Sequence, residues 1–328
     1  MGHSEVTCNN SSQQYCMKNK DSIPQMLFDK EGKDPLYTAI RSEQDPWHAE
    51  AKAYWQHLYN QHSKFLDDNY SEEIRNDCIS RLWELTLINF IAKQEPKGLK
   101  RLNHRSKKKK SPDFCFEING QRFYLEADAP GAGKAEKLKA EFENFKARET
   151  PIVPYKERLC SAINIKGDIN YHGGKTPGYK DHIGDDAGLI IAVSLAKIPF
   201  FNQPIDYRVD LSCILGLSSM KIPIVQNENN ERFMGSPYYD HEPEFAKSHS
   251  KSPIKTNYFT DDAYSHISAI LISHTGWVFF PDIDQDKYDV PLHWETSRND
   301  YVLVHNPFAK TPLPPQLFPV YREILTQE

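Results

Sequence analysis

Two acidic residues stand at positions that a tight β-hairpin brings together. The dipeptide Asn119-Gly120 separates two runs of alternating apolar residues, and it favours a two-residue type I′ turn because both central residues of that turn need positive φ. The cross-strand pairs that this turn predicts are, counted outward, Ile118 with Gln121, Glu117 with Arg122, Phe116 with Phe123, Cys115 with Tyr124, Phe114 with Leu125, and Asp113 with Glu126. The last of these pairs sets two carboxylates face to face.

Opposed carboxylates need something that relieves their repulsion. Two negative charges ~5 Å apart repel by roughly 3 kcal/mol at an effective dielectric constant of ~20, whereas a good cross-strand pair contributes only ~0.2–1 kcal/mol. Free solvation at an exposed strand end, one shared proton or a bound cation would each relieve it, and divalent cations prefer such oxygen ligands. Asp113 and Glu126 are therefore candidate metal ligands.

A third acidic residue, Glu84, lies inside an almost unbroken apolar run, SRLWELTLINF. Buried glutamate is rare without a partner. One interpretation places Glu84 on the solvated edge of a helix, with Arg81 or Lys93 nearby. The leucines and Trp83 around it leave little solvent-facing surface, which favours a functional role.

Glu84, Pro112-Asp113 and Glu126-Ala127-Asp128 together resemble the motif of the PD-(D/E)xK nuclease superfamily, which has the restriction-endonuclease-like fold. The core of that family runs helix, three strands, helix, strand, and its acidic residues come from the first helix and the second and third strands. The resemblance covers roughly residues 71 to 200. It implies Mg²⁺ (or Mn²⁺) held by Asp113, Glu126 and Glu84, which would polarise a phosphodiester and lower the pKa of a bound water.

The chain departs from that family at its lysine. The family places this lysine two residues after the third-strand acid, where the present chain has Asp128. In some members the lysine comes from the following helix, and the resemblance then makes Lys166 the candidate catalytic lysine, which would orient the water or stabilise developing charge. Lys134 is a second candidate, and Arg158, two turns before Lys166, is a candidate phosphate contact. If neither lysine reaches the site, the resemblance implies weakened or lost catalysis.

A basic run lies immediately before the hairpin. KGLKRLNHRSKKKK, residues 97–110, holds eight Lys and Arg residues and no acid. Charge runs are usually solvated loops. The functional interpretation is a loop that contacts phosphates beside the metal site and positions nucleic acid without reading its sequence. Its candidate residues are Arg101, Arg105, Lys107 and Lys108.

The elements that would position these residues form an α/β protein with a mixed sheet flanked by helices. Hydrophobic periodicity predicts helices over 47–65 and, with Ser71 as N-cap, 71–93, and further helices over 135–146 and 155–166. Strands are predicted at 98–103, 187–198, 266–273 and 301–307, beside the hairpin. Residues 1–33 are expected to be a loose arm, 200–262 a long irregular insertion, and the Pro-rich end unable to form a regular ladder.

Composition sets the broad class. The 328 residues divide into three expected parts: an arm and helical extension over 1–70, a restriction-endonuclease-like core over 71–200, and an insertion with C-terminal strands over 201–328. No run approaches the ~18 apolar residues of a membrane helix, and six scattered cysteines without a CxxC pair indicate a reduced, cytoplasmic protein. A net charge of -5 restricts any contact with nucleic acid to local patches.

Three functions fit these observations. The first is a Mg²⁺-dependent nuclease. The second is an inactive module of the same fold that binds nucleic acid or a protein partner, which the missing lysine and the acidic balance favour. The third is a retaining glycosidase, since directly opposed carboxylates approach the ~5–5.5 Å separation of that class, although Tyr124 alone is a thin platform for a sugar. Dependence on a divalent metal separates them.

Overall fold

The helices predicted over 47–65 and 155–166 form with shifted bounds, and the helix predicted over 71–93 is divided into two. The structure is a computed structural model that describes residues 26–102, 111–131, 152–167, 170–171, 176–177, 179, 183–184, 186–198, 207–247, 253–274, 301–320 and 322–325. Its helices are α1 (Pro35–Ser42), α2 (Pro46–His62), α3 (Tyr70–Glu73), α4 (Cys78–Ala92), α5 (Ile152–Gly167) and α6 (Tyr207–Leu215), with short 3₁₀ turns at Ser63–Phe65 and Asp262–Tyr264.

The strands are numbered along the chain. They are β1 (Lys97–Arg101), β2 (Phe114–Ile118), β3 (Gln121–Asp128), β4 (Asn170–Tyr171), β5 (Thr176–Pro177), β6 (Ala187–Ser194), β7 (Leu217–Lys221), β8 (Ile224–Gln226), β9 (Arg232–Met234), β10 (Tyr238–His241), β11 (Glu244–Ala246), β12 (Pro253–Lys255), β13 (Ile267–Ser273), β14 (Tyr301–His305) and β15 (Arg322–Ile324).

Seven of these strands form one mixed sheet in the order β1-β2-β3-β6-β13-β14-β15. The hairpin β2–β3 and the strand β1 pair antiparallel, while β3, β6 and β13 run parallel in the centre. The central strands β6 and β13 are buried along their whole length, as expected for parallel strands covered on both faces. The sheet takes strands from both the 71–200 and the 201–328 segments.

Helices cover both faces of this sheet. On one face, α4 packs through Trp83 and Phe90 against the hairpin residues Phe116 and Phe123. On the other face, Leu159 and Ile163 of α5 lie in an apolar cluster with the residues of β6 that point the same way. Helices α1 and α2 form a further layer over α4. The prediction of an α/β protein with a mixed sheet flanked by helices is confirmed.

The second predicted helix is wrong at its N-terminal half. Instead of one helix over 71–93 capped by Ser71, the chain forms the single turn α3, then a bend, then α4. Asp77 ends the bend because its side chain accepts the N–H of Ser80 at 3.3 Å and so caps α4. Asp34 accepts the N–H of Cys78 at 3.1 Å and holds the same helix end to the N-terminal region.

Of the other predicted elements, some are confirmed and some are wrong. The helix at 155–166 and the strands at 98–103, 187–198, 266–273 and 301–307 are confirmed with shifted ends. The loose arm is wrong near its end, since Leu27 and Phe28 are buried. Within the described part of 200–262, the expectation of a long irregular segment is wrong, since the chain forms α6 and several short hairpins there. The Pro-rich end supplies β15, which pairs parallel with β14 at the sheet edge. The predicted helix over 135–146 lies outside the described residues.

Candidate active site

The hairpin register is the one that the turn predicts. Asn119 and Gly120 have φ of 53° and 78°, and five predicted pairs form, from Ile118 opposite Gln121 to Phe114 opposite Leu125. The sixth lies beyond the ladder, since Asp113 precedes β2, and the carbonyl of Asp113 accepts the N–H of Leu102, next to β1, at 2.9 Å. The acidic residues nevertheless stay together, because the Oδ2 atom of Asp113 accepts the N–H of Ala127, the residue after Glu126, at 2.8 Å.

Glu126 and Lys166 form a buried ion pair. Glu126 is 3% exposed, and its Oε1 atom accepts a short hydrogen bond from Nζ of Lys166. Lys166 lies in the last turn of α5, which crosses the sheet on the face toward which Glu126 points. The side chain of Tyr179 lies beside the same carboxylate. The helix that follows the hairpin in the described chain therefore brings an ammonium group to the third-strand acid, as the resemblance anticipated.

Asp128 stands on the same face of β3 as Glu126, because strand residues two apart share a face. It occupies the position of the family's lysine, and its charge acts on both Lys166 and Arg158. Arg158 itself donates from Nε to the carbonyl of Gly131 at 2.8 Å. Asp128 therefore adds a second negative charge near Lys166 on this face of the sheet.

Glu84 approaches from the other face and is held by two arginines. Its Oε1 atom lies 2.8 Å from Nη1 of Arg81, and its Oε2 atom lies 2.6 Å from Nη1 of Arg101. Arg101 also contacts Asp67 at 2.6 Å and Asp113 at 3.7 Å. The side chains of Glu84 and Arg101 are only 7% and 6% exposed. Burial of Glu84, which the apolar run indicated, is thus compensated by guanidinium groups on both oxygens.

Burial shifts the titration of these groups. Desolvation, together with the nearby charge of Asp113, raises the pKa of Glu126 to about 8, although Lys166 opposes that shift. Desolvation likewise raises the pKa of Glu84 to about 7, against the pull of Arg101. Burial alone would lower the pKa of Lys166, but the carboxylates of Glu126 and Asp128 outweigh it and the pKa is raised. At neutral pH the lysine therefore stays charged while Glu126 is largely protonated, and the hydrogen-bonded pair becomes a full ion pair as the pH rises through about 8.

These residues line one cavity of about 330 Å³. Its walls include Glu84, Asp113, Glu126, Asp128, Lys166 and Tyr179. A second, larger cavity of about 830 Å³ adjoins it and shares Arg81 and Asp113. The walls of the larger cavity carry both signs of charge, with Lys64 and Lys100 as well as Asp67 and Asp68. Asp113 thus lies where the two spaces meet.

The oxygen atoms around Asp113 fit a small hard cation. Within the described residues, the Oε2 atom of Glu126 is buried without a hydrogen-bond partner, and an orphaned carboxylate oxygen is the kind of donor that Mg²⁺ and Mn²⁺ bind. In the side-chain arrangement described, no three His, Cys, Asp or Glu residues converge at metal-binding geometry. Glu84 is engaged with Arg81 and Arg101, so Asp113 and Glu126 are the donor pair that fits.

The predicted basic contacts divide into three groups. Arg101 is buried among carboxylates, Arg158 donates to the carbonyl of Gly131, and Arg105, Lys107, Lys108 and Lys134 lie outside the described residues. Sequence reasoning missed Tyr179, because a single tyrosine in a turn-rich segment carries no spacing signal. Arg81 was expected only as a neighbour of Glu84 at the solvated edge of the helix, and its position in the cavity wall was missed.

Comparison with known proteins adds no relative. No protein-family model, no curated protein and no solved structure matches the chain. Among the helices of the described residues, none has the length and apolar character needed to cross a bilayer.

Proposed function

We propose that this chain is a divalent-metal-dependent nuclease that hydrolyses phosphodiester bonds of nucleic acid and has a restriction-endonuclease-like fold. The observation that carries the proposal is the ion pair of Lys166 with Glu126, beside Asp113, in one cavity. Buried acids are costly unless they are paired, and here Asp113 and Glu126 are both buried, the Oε2 atom of Glu126 has no hydrogen-bond partner, and Lys166 from α5 binds its Oε1 atom.

Each residue then has a task in the reaction. A bound Mg²⁺ or Mn²⁺ would supply a Lewis acid and an activated water. Asp113 and Glu126 would hold it through their carboxylate oxygens. Lys166, which stays protonated because its pKa is raised, cannot serve as a base at neutral pH, so it would act as a fixed positive charge at the oxygen on which negative charge develops.

Glu84 supports this site as a positioning residue. By holding Arg81 and Arg101, it keeps two guanidinium groups at the wall of the cavity, and Arg101 lies within 3.7 Å of Asp113. Arg101 thereby places a positive charge beside the acid that would bind the metal. The proposal thus assigns Glu84 to orienting the arginines in place of the direct metal contact that the resemblance implies.

The substrate side of the proposal rests on the adjoining cavity and the basic run. Lys64, Lys100 and Arg81 line the larger cavity, and Lys100 belongs to the basic run of residues 97–110. Phosphate contacts of this kind position a nucleic acid backbone without reading bases. The scattered cysteines, of which Cys78, Cys115, Cys160 and Cys213 are free and buried, support a reducing, cytoplasmic setting.

A second function is favoured by one observation: each of the acids Glu84 and Glu126 has a basic partner. With Asp128 in the lysine position of the family, the same arrangement suits a catalytically weakened module that binds nucleic acid or a protein. The two functions differ in whether a metal and a substrate displace these internal ion pairs.

Metal titration and cleavage distinguish the two functions. Binding of Mn²⁺ is measured by calorimetry, and cleavage is measured on single- and double-stranded DNA and RNA with Mg²⁺ or Mn²⁺. The protein is the wild type, the variant Asp113→Asn, and the control Glu117→Gln, which alters the same hairpin near its turn. A nuclease binds Mn²⁺ and cleaves, and only Asp113→Asn loses both. Metal binding without cleavage by the wild type supports the inactive module, and no metal binding at all refutes the nuclease.

A further inference from the structure

Exposed apolar side chains concentrate in one projecting part of the molecule. We call residues 217–241, which contain β7 to β10, the β arm. Among the described residues, seven large apolar side chains of this arm are exposed: Ile222, Ile224, Val225, Phe233, Met234, Tyr238 and Tyr239. Elsewhere in the described chain such residues occur singly, at Met26, Ile165, Phe308 and Leu325. Single exposed apolar residues are ordinary, whereas a contiguous patch marks an interaction surface.

The tip of the arm is apolar on both faces. In the hairpin β8–β9, Ile224 pairs with Met234 and Val225 pairs with Phe233. Directly opposed residues share a face and neighbouring residues alternate, so one pair points to each side. Ile224 and Met234 are 74% and 79% exposed. Neither face of this hairpin is covered by the body of the protein.

The arm also presents unpaired strand edges. Within the described residues, β8 pairs only with β9, and β7 pairs only with β10. A two-stranded hairpin is marginally stable in water, and three or more strands with an apolar face are needed for independent stability. An exposed apolar edge is also a template for pairing with another chain. The arm therefore requires a partner that supplies both a strand edge and apolar side chains.

We propose that this partner is a second copy of the chain, and that the β arms of two copies pair with each other. Two hairpins related by a twofold axis extend each other into a four-stranded sheet, since the same patch serves both sides of an isologous contact. The arm carries the acids Glu228, Glu231 and Asp240 against Lys221 and Arg232. This small negative excess disfavours a phosphate backbone, whose attraction needs a basic surface.

The available area suits a dimer. A large aromatic side chain has roughly 150–250 Å² of apolar surface. The seven residues of the arm expose 39–79% of their surface, which amounts to on the order of 650 Å² summed over both faces of the arm. A standard interface takes ~800 Å² from each partner, and the backbone edges and polar rim of the arm make up the remainder.

The dimer contact lies away from the candidate active site. The base of the arm is next to Lys156, whose Nζ atom is 4.0 Å from Glu242 and lies over the ring of Phe245. Lys156 and Lys166 are ten residues apart on α5, which corresponds to ~15 Å along a helix. The base of the arm therefore lies at the other end of α5 from Lys166, and the proposal stands whether or not the chain is a nuclease.

The test is the oligomeric state of the full chain. Sedimentation equilibrium over about 1–100 µM should show a dimer of the 37.9 kDa chain. The double variant Ile224→Glu/Met234→Glu adds charge to one face of the arm without touching the core, and it should weaken dimerisation by about 100-fold or more. Phe308→Glu and Leu325→Glu, exposed apolar residues outside the arm, are the controls and should leave the dimer intact.

Hydrogen exchange gives the second measurement. Backbone amides of residues 222–239 should exchange more slowly as the protein concentration rises through the dimer midpoint, and the double variant should lose that protection. A wild type that is monomeric throughout overturns the proposal, as does a dimer that the double variant leaves unchanged. A monomer whose nucleic acid affinity falls in the double variant assigns the arm to nucleic acid and also overturns it.

Discussion

Two clusters of buried charge lie at different places around the central strands, and they differ in access to solvent. Around Glu126, the side chains of Lys166 and Arg81 each remain 21% exposed and line a cavity. The second cluster joins Tyr155 of α5, Asp210 of α6 and His274 beyond β13. There the Nε2 atom of His274 lies 2.8 Å from Oδ2 of Asp210, and the Tyr155 hydroxyl donates to Oδ1.

The second cluster is closed. Asp210 is 0% and His274 3% exposed, Tyr155 stacks on His274 with ring centroids 5.9 Å apart, and apolar residues such as Leu159, Cys213 and Ile272 belong to the surrounding core. Burial together with Asp210 raises the pKa of Tyr155. Buried charge by itself therefore does not mark a functional site. The cluster around Glu126 has two further features, a cavity open to solvent and a buried carboxylate oxygen without a hydrogen-bond partner.

The largest expected effect is a loss of unfolding free energy when the closed cluster of Tyr155, Asp210 and His274 is disrupted. Asp210→Ala leaves His274 and Tyr155 without their shared carboxylate, and removal of one partner of a buried charged group costs ~3–5 kcal/mol of unfolding free energy. Urea unfolding monitored by circular dichroism measures it. Lys52→Ala, which removes the exposed ion pair with Glu43, should cost at most ~1 kcal/mol. Affinity for Mn²⁺ should be unchanged in Asp210→Ala, and a lost affinity would erase the distinction between the clusters.

The next effect concerns pH in metal-free protein with EDTA. Because the folded-state pKa of Glu126 is raised to about 8 from its ordinary 4.5, the folded protein keeps a proton that the unfolded chain releases. The stability of the wild type should therefore fall as pH rises from about 4.5 through 8. Glu126→Gln cannot ionise, so at pH above 8 it should be more stable than wild type by up to about 5 kcal/mol.

Unfolding curves of wild type and Glu126→Gln across this pH range measure the effect. At low pH the two proteins should differ little, because Glu126 is then protonated in both states. Glu117→Gln, on the partly exposed end of the same hairpin, is the control and should follow the wild-type profile. Parallel profiles for wild type and Glu126→Gln would mean that the buried carboxylate is ionised throughout.

The third effect compares the two ends of α5. Lys166→Ala should lower the rate of metal-dependent cleavage by about 100-fold, as removal of a group that stabilises developing charge does. Lys156→Ala, at the end of the same helix near Glu242, should change the rate less than about twofold. The readout is kcat and KM on the best substrate of the nucleic acid panel. Equal losses in both variants would indicate a general effect on the helix.

The smallest effect tests the position of the lysine. Asp128 shares its strand face with Glu126, so Asp128→Lys in the Lys166→Ala background places an ammonium group at the family's position. We expect recovery of cleavage by about tenfold, which is ~1.4 kcal/mol of activation free energy. Glu117→Lys in the same background makes the same charge change at a distance and should recover nothing. Recovery in both would mean that net charge alone matters.

The local parts of the fold were predictable because their signals are local. Asn119-Gly120 specifies a turn whose φ values few other dipeptides adopt, and the register of five pairs follows from it by counting. The continuous apolar runs of β6 and β13 marked the central strands. The break between α3 and α4 was missed because the caps of Asp77 and the contact of Asp34 with Cys78 depend on residues distant from the apolar stripe.

The exposed hairpins of the β arm were missed for a related reason. Strands of three residues, such as β8 and β9, are too short to show a period of two, and the segment reads as loop composition. The apolar residues were visible in the sequence, but their exposure was not, because burial depends on which other elements pack against them.

The sequence by itself determined that an aspartate and a glutamate meet at the end of a hairpin, since a two-residue turn leaves one register. Only the tertiary structure decided which basic side chains contact these acids. Lys166 reaches Glu126 across 40 residues of chain, and Arg101 joins Glu84, Asp67 and Asp113. The path of α5 over the sheet is set by the packing of its apolar face. The spacing of residues along the chain therefore does not predict where the last turn of this helix, which carries Lys166, lies relative to the hairpin.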